Sequence, residues 1–567
     1  MKLIISITTG SVILGMLIIS TTSCAQPLSK KVKLTSQDTL RGSITPERAW
    51  WDVSSYNIHV TPDYKTKTIS GWNQLTFRVL KDRKGRKMQI DLQQPMIIDS
   101  IIFNNKQLKK FNRVGNVYFI DFGNHVFKTQ AQLPKNKSYT FPFIKIYFHG
   151  KPREAVNPPW DGGWIWSRDA KGRPWMSVAC QGLGASVWYP CKDHQSDEPE
   201  GAMLQIRVPD SLVAIGNGRL YSKDLQNNGT TLYTWQVKSP INSYNIIPYI
   251  GKYAHWSDSY KGETGQELSL DYWVLDYNLD KSKKQFQRNV KPMLNCFEYW
   301  FGPYPFYEDG FKLVESPHLG MEHQSAIAYG NHYQDGYLGM DLSGSGWGTK
   351  WDYIIIHEAG HEWFGNNITT NDIADMWVHE GFTDYSETLF VECQYGKEPA
   401  NEYTQGLRRS IQNDIPVIGV YGVNQEGSGD MYYKGNSLIH MIRQVIDDDT
   451  IFRNILRGLN KDFYHRTVNT KDVENYISKK AKKDFSKIFD QYLRTSKLPV
   501  LEYRITGDRI IYRWNNVVKG FNMPLRLGRS KEWLYPTEQW KSVTGTAELI
   551  ENFAIDKNFY INVKKVQ

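Results

Sequence analysis

The chain is short of cysteine, of gathered charge, of repeats and of membrane-spanning runs. Five cysteines in 567 residues exclude a small disulfide-stapled scaffold, and their spacing matches no zinc site. Lys and Arg outnumber Asp and Glu by ten, yet they scatter, with short runs only at Lys81 to Lys87 and Lys479 to Lys483. A nucleic-acid binder concentrates such charge in a patch or an arm. The excess therefore reads as a solvated, mildly basic surface, and nucleic acid is excluded as a partner. No internal repeat or low-complexity tract runs through the chain. Beyond the first two dozen residues no apolar run is long enough to cross a membrane. What is present is a globular, aromatic-rich composition, 40% hydrophobic and 14% aromatic with 19 Trp and 34 Tyr. A chain of this length exceeds one hydrophobic core, and about two to four domains are expected.

Lys2, the mostly apolar stretch Leu3 to Ile19 and the small residues Ser20-Thr21-Thr22-Ser23-Cys24 form the parts of a secretory signal. Residues 1–24 are expected to direct export to the cell envelope. Cys24 resembles the acylated cysteine of a bacterial lipoprotein, which would anchor the chain to a membrane. Ordinary cleavage near Cys24, giving a periplasmic or secreted protein, stays open. In an exported chain the other four cysteines can oxidise. Cys180 and Cys191 flank a glycine-rich loop, and a bridge between them and a pair of buried thiols are both consistent with that spacing.

Residues 25–45 lack hydrophobic periodicity and read as a tether. From Trp50 the texture changes: SYNIHVTPDYKTKTISGWNQLTFRVL alternates apolar and polar residues around turn residues, as antiparallel strands do. The pattern continues through LQIRVPDSLVAIGNGRL, so residues 46–262 form a β-rich domain. KSKKQFQRNVKPMLNCFEYWFG then shows a helical period ending at Gly302-Pro303, a stop signal. Residues 263–498 are a mainly helical domain with strands at its start. Residues 499–567 return to alternation as a small C-terminal β domain. The fold class is a multidomain α+β chain.

The chemistry lies in WDYIIIHEAGHEWFGNN, Trp351 to Asn367. Isoleucines 354 to 356 and Trp363-Phe364 give it an apolar side, and no proline interrupts it, so it reads as a helix. Residues four apart share a helix face, and His357 and His361 therefore aim two imidazoles at one point. Glu380, after eighteen intervening residues and in VHEGFTDYSE, is placed to be a third ligand from a second helix. Three protein ligands leave a fourth position open for water, the arrangement of a catalytic zinc. Glu358, inside the motif, can take a proton from that water. A pair of satisfied core histidines is the alternative for the isolated motif.

Further stretches, in the same order, complete a resemblance: Gly320-Met321-Glu322 before the zinc motif, and Tyr432-x-Lys434-Gly435 after it. The chain resembles the gluzincin zinc aminopeptidases, the family of aminopeptidase N and leukotriene hydrolase, over about its first three-quarters. The resemblance implies an N-terminal β saddle, a thermolysin-like catalytic domain and one Zn2+. It implies Glu322 as the carboxylate that binds a peptide's free amine, with Gly320 and Met321 beside the extended substrate. Tyr432 matches the tyrosine that stabilises the oxyanion, a role that also follows from its hydroxyl donor. Tyr433 stands where the family often has Glu, and His323 where it has Asn. Gln181 falls at a second amine contact from the β domain, near a position where the family's Arg is replaced by Ser186. Asp384 and Glu387, one and two turns beyond Glu380, can hold a ligand histidine by its other nitrogen. Trp377 is expected to pack beneath the ligand helix, and His379 to be structural.

These readings converge on a zinc metallo-aminopeptidase acting on peptides with a free N-terminus. The rivals are a zinc endopeptidase, an epoxide hydrolase and a catalytically inactive peptide-binding envelope protein. Long family members carry a further large helical domain, for which no residues remain, so a more open site is expected.

Overall fold

The computed structural model describes residues 33–81, 83–84, 87–132, 141–528 and 532–567. The expected signal and Cys24 lie outside the described residues, as does most of the first half of the expected tether. The second half of that tether is structured. Helix α1 (Ser36–Gly42) opens on a capping box between Thr35 and Asp38, which satisfies backbone N–H groups at the helix start. Arg41 at its end donates to the carbonyl of Gly182 and pairs with Asp193, so the segment is docked on the β domain.

Alternation dictates that domain. The strand Trp51–Asp63 buries every second residue over most of its length, and each such strand must cover one face. Eight strands form the main sheet. At its centre Trp51–Asp63 pairs antiparallel with Thr68–Val79 and parallel with Ala202–Pro209. A four-stranded sheet that includes Gly163–Arg168 and Pro174–Ala179 contributes to the same core, where Trp51, Trp164 and Trp188 are fully buried.

The boundary with the next unit lies earlier than the sequence pattern indicates. Tyr253–Lys261 pairs with Glu267–Leu275 in a five-stranded sheet completed by Phe311–Glu315, Ile327–Tyr329 and Gly320–Met321. The sheet therefore takes strands from both sides of residue 262. Behind it pack helices α2 (Leu279–Phe301), α3 (Tyr353–Gly360), α4 (Trp377–Tyr395), α5 (Lys397–Leu407) and α6 (Tyr433–Ile446). Every residue of α4 from Trp377 to Val391 is buried, so this helix runs through the middle of the domain. The C-terminal sheet around Val500–Thr506 and Arg509–Asn515 does not stand apart. Leu501, Ile510, Trp514 and Phe521 belong to one hydrophobic core with the helices, and Asn558 accepts hydrogen bonds from His440 and Gln405.

The cysteines pair otherwise than across the loop 180–191. Cys296 of α2 and Cys393 of α4 form a disulfide, whereas Cys180 and Cys191 are buried free thiols. Burial raises both thiols well above their usual pKa, and Cys180 donates to the carbonyl of Tyr244. No helix among the described residues is long and apolar enough to cross a membrane.

Candidate metal centre and active site

Asp352 starts α3, its carboxylate accepting the N–H of Ile355, and its own network of Gln285, Tyr329 and Asn331 fixes the entry. The helix is shorter than the apolar pattern implies. It ends at Gly360, and His361 caps it with helical φ −63 and ψ −21, so the four-residue stacking of the two imidazoles survives. The chain turns away at Gly365, whose φ of +128 favours glycine.

Each ligand histidine is held by the nitrogen that faces away from Glu380. Nδ1 of His357 donates to Glu387 Oε1 at 2.6 Å, and Nδ1 of His361 donates to the carbonyl of Phe364 at 3.1 Å. These bonds fix the tautomer and leave each Nε2 with a lone pair. Both Nε2 atoms converge on Glu380 Oε2, at 3.8 Å from His357 and 3.3 Å from His361. That oxygen is buried without a hydrogen-bond partner, an arrangement that costs free energy unless something is bound. Two donors about 2.1 Å from one tetrahedral ion lie about 3.4 Å apart. The spacing and the two-nitrogen, one-oxygen donor set therefore suit zinc. Burial alone would raise the Glu380 carboxyl, but His361 and His357 outweigh it and hold it low.

Glu387 is in turn fixed by the hydroxyl of Tyr403 at 2.6 Å. Of the two acids expected behind the ligands, Glu387 holds His357; no such bond ties Asp384 to a ligand histidine. Trp377 is fully buried and donates to Thr470, and His379 accepts the N–H of Thr370, a structural role.

Tyr432 arrives by a glycine contact. A Cβ on Gly435 would stand 2.8 Å from the Cα of Gly381, so α6 meets α4 backbone to backbone one residue past Glu380. This crossing brings Tyr432, at the N-terminus of α6, over His357, ring centroids 6.1 Å apart. Tyr353 stacks on the same imidazole at 5.3 Å. Burial, with Glu380 and Glu426 nearby, pushes the Tyr432 hydroxyl well up, so it remains a donor. Tyr433 lines the same cavity.

Glu322, Glu358 and His361 offer atoms within 4.8 Å of one another. Glu358 is 8% exposed, and burial raises its pKa to about 7. Glu322 is buried and accepts the Tyr244 hydroxyl at 3.0 Å, and burial raises it too. Gly320 packs directly against Glu358, since a Cβ there would lie 2.5 Å from its Oε1. Met321 follows in the same short strand. Gly320, Met321, Glu322, Glu358 and His361 line a cavity of about 600 Å³ with Trp160, Tyr337 and Arg409. Gln181 is not among the lining residues; it lies in the turn after Pro174–Ala179, beside the Cys180 that touches Tyr244. His323 turns from the cavity to the hydroxyl of Tyr249 at 2.6 Å, and Ser186 donates to Asp193. Sequence reasoning missed Tyr244, Tyr353 and the buried Glu426, whose carboxyl is raised to about 8 by burial and then by Glu380 and Glu322. Tyr353 sits four residues before His357, a helical spacing that signals contact; the other two carry no local signal.

A buried His-His-Glu set with a glutamate inside its helical motif is the arrangement that the resemblance to the gluzincin aminopeptidases implies. Residues 286–492 match the Peptidase family M1 domain. Aminopeptidase N of Lactococcus lactis subsp. lactis is 28% identical over 488 residues, 81% of this chain and 52% of that protein. Human aminopeptidase B is 24% identical over 353 residues, 58% of this chain and 51% of that one. The chain thus spans about half the length of these relatives. Among solved structures, a mutant M1 zinc metallopeptidase from Deinococcus radiodurans bound to a Tyr-Ser-Ala substrate aligns with a TM-score of 0.65 at 19% identity. The alignment covers 81% of this chain and 98% of that one.

Proposed function

We propose that the chain is a zinc metallo-aminopeptidase that removes N-terminal residues from peptides. The observation that carries this reading is the grouping of Glu322 with Glu358 and His361 within 4.8 Å. It sets a carboxylate suited to an ammonium beside a general base and a metal ligand. Zinc held by His357, His361 and Glu380 would supply a water of lowered pKa and polarise the scissile carbonyl. One oxygen of Glu322 is occupied by Tyr244, and the carboxylate pairs with the substrate ammonium, which places the first peptide bond over Glu358. Glu358 takes the proton of the attacking water and delivers it to the departing amine nitrogen. The Tyr432 hydroxyl donates to the carbonyl oxygen as negative charge gathers there. Gln181 is the β domain's candidate for a second amine contact.

Hydrolysis of aminoacyl-naphthylamides tests this, with Glu358→Gln expected to lose at least about 100-fold. Equal cleavage of N-acetylated and free peptides would replace the reading with an endopeptidase. No cleavage of any peptide with zinc bound would favour a peptide-binding protein. We also propose export, with Cys24 as a lipid anchor. The pattern of residues 2 to 24 supports it, and so does the Cys296–Cys393 disulfide, since disulfides persist in oxidising compartments. Metabolic labelling with a palmitate analogue, lost on Cys24→Ser, is the expected result.

A further inference from the structure

The cavity has two chemically opposite ends. Glu322, Glu358 and His361 cluster on one side of the centre, backed by Tyr244 from the β domain. The other imidazole, His357, faces Tyr353, and Tyr353 faces Tyr337 at 5.4 Å. Tyr337 closes a small hairpin with Met340, and the hairpin leads into Asp341 and Leu342. There Arg409 attaches, its Nη2 donating to the carbonyls of Leu342 at 2.8 Å and Asp341 at 3.3 Å.

Arg409 is the only Lys or Arg among the described residues that line the cavity. It is exposed and has no carboxylate partner among the described residues, only those two carbonyls. The nearby acids do not neutralise it. Asp341 turns its oxygens to the N–H groups of Ser343 and Gly346 and the Ser343 hydroxyl, and Asp430 accepts the N–H groups of Gln412 and Asn413. The remaining guanidinium donors are thus free for a planar anion, the geometry a carboxylate satisfies with two parallel bonds.

We infer that Arg409 binds the C-terminal carboxylate of short peptides whose N-terminal ammonium sits at Glu322; this rests on the aminopeptidase reading above. Two ring contacts of about 5 Å and the hairpin separate Arg409 from His357. At about 3.4 Å per extended residue, the two ring contacts alone take about three residues, so the peptides that reach both ends have at least three. Glu322 and Arg409 together select for length by charge.

The test compares kcat/KM for Leu-Ala-Ala and Leu-Ala-Ala-Ala as free acids and as C-terminal amides, in the full-length zinc enzyme. The free acids are expected to be about five- to tenfold better, with the gap shrinking in high salt. Arg409→Ala should bring the acid-to-amide ratio to about one, and Arg409→Lys should keep part of it. Because Arg409 also pins the loop 341–342, its loss can slow all peptides. The ratio cancels that common factor, so equal slowing of acids and amides with the ratio unchanged would overturn the proposal. A ratio of about one in the unaltered enzyme would also overturn it. Leu-Ala-Glu amide distinguishes the source of the carboxylate: a gain exceeding that of the free acids would overturn the terminal assignment in favour of an acidic side chain. Cleavage of naphthylamides without any acid preference removes this inference alone. Absence of all cleavage removes the aminopeptidase reading and this inference with it.

Discussion

Gly320→Ala isolates the positioning of Glu358, the proposed general base, from everything else in the site. The added Cβ would lie 2.5 Å from Glu358 Oε1 and 2.9 Å from the Ile354 methyl. Ordinary contact starts at 3.4 Å, so the Glu358 carboxylate must retreat by about 0.9 Å. Gly320 has no positive φ, so the backbone accepts alanine and the whole effect is steric. Glu358 Oε1 ends a flexible side chain and can give way, whereas the Ile354 methyl is fixed at a β-branched carbon, and the global cost is about 1 to 3 kcal/mol of overpacking. Misplacement of a reacting group by about 1 Å costs about 100-fold in rate, equivalent to about 2.7 kcal/mol. The assay is kcat/KM on an aminoacyl-naphthylamide, with zinc content and the thermal midpoint measured on the same sample. We expect a loss of about 100-fold with full zinc occupancy and a midpoint lowered by only a few degrees. Unchanged kcat/KM in a folded, zinc-loaded variant would refute the reasoning, and so would loss of zinc, because the ligands lie beyond the reach of that methyl.

Three further outcomes follow from the same geometry. Tyr432→Phe should lower kcat by about 100- to 1,000-fold with KM nearly unchanged; an effect confined to KM would remove the oxyanion role. Glu387→Gln weakens the acceptor for His357 Nδ1 and should reduce zinc affinity about 10- to 100-fold in chelator competition, and an unchanged affinity would refute it. Burial holds His318, His379 and His440 near a pKa of about 3, against about 6.5 when unfolded. The unfolded chain therefore binds protons that the folded one refuses. Stability is full above about pH 6.5 and falls as pH drops towards about 3, by up to about 1.4 kcal/mol per pH unit for each histidine. Unfolding midpoints between pH 7 and 5 should show that slope, flattened by His440→Gln; identical slopes would count against it.

The local chemistry was legible because it is written at helical and motif spacing. His357, Glu358 and His361 need only one turn of helix to converge, and Glu380 follows on the next helix of the domain. Tyr432 and Glu322 were legible through motif order, and the glycines in those motifs have a physical meaning that only contact reveals. Gly435 admits α6 to α4, and Gly320 admits a strand to the base. The β alternation gave the N-terminal sheets correctly, yet it could not say that Tyr253–Lys261 joins the catalytic sheet or that the C-terminal strands share the helices' core. Periodicity identifies which face is buried and is silent on what buries it.

The sequence by itself pointed to zinc, to His357, His361 and Glu380 as a group with Glu358 among them, and to the general layout, since those depend on residues a few positions apart or in fixed order along the chain. Tertiary structure alone chose Glu387 over Asp384, because both lie on the Glu380 face of α4 and only the position of His357 separates them. It alone joined Cys296 to Cys393, 97 residues apart, through the packing of α2 on α4, and left Cys180 and Cys191 apart as thiols. Tyr244 reached Glu322 and Arg409 reached the cavity the same way. Each comes from a segment with no periodic tie to the zinc helix, and a contact across folded space depends on the whole path of the chain rather than on any spacing within it.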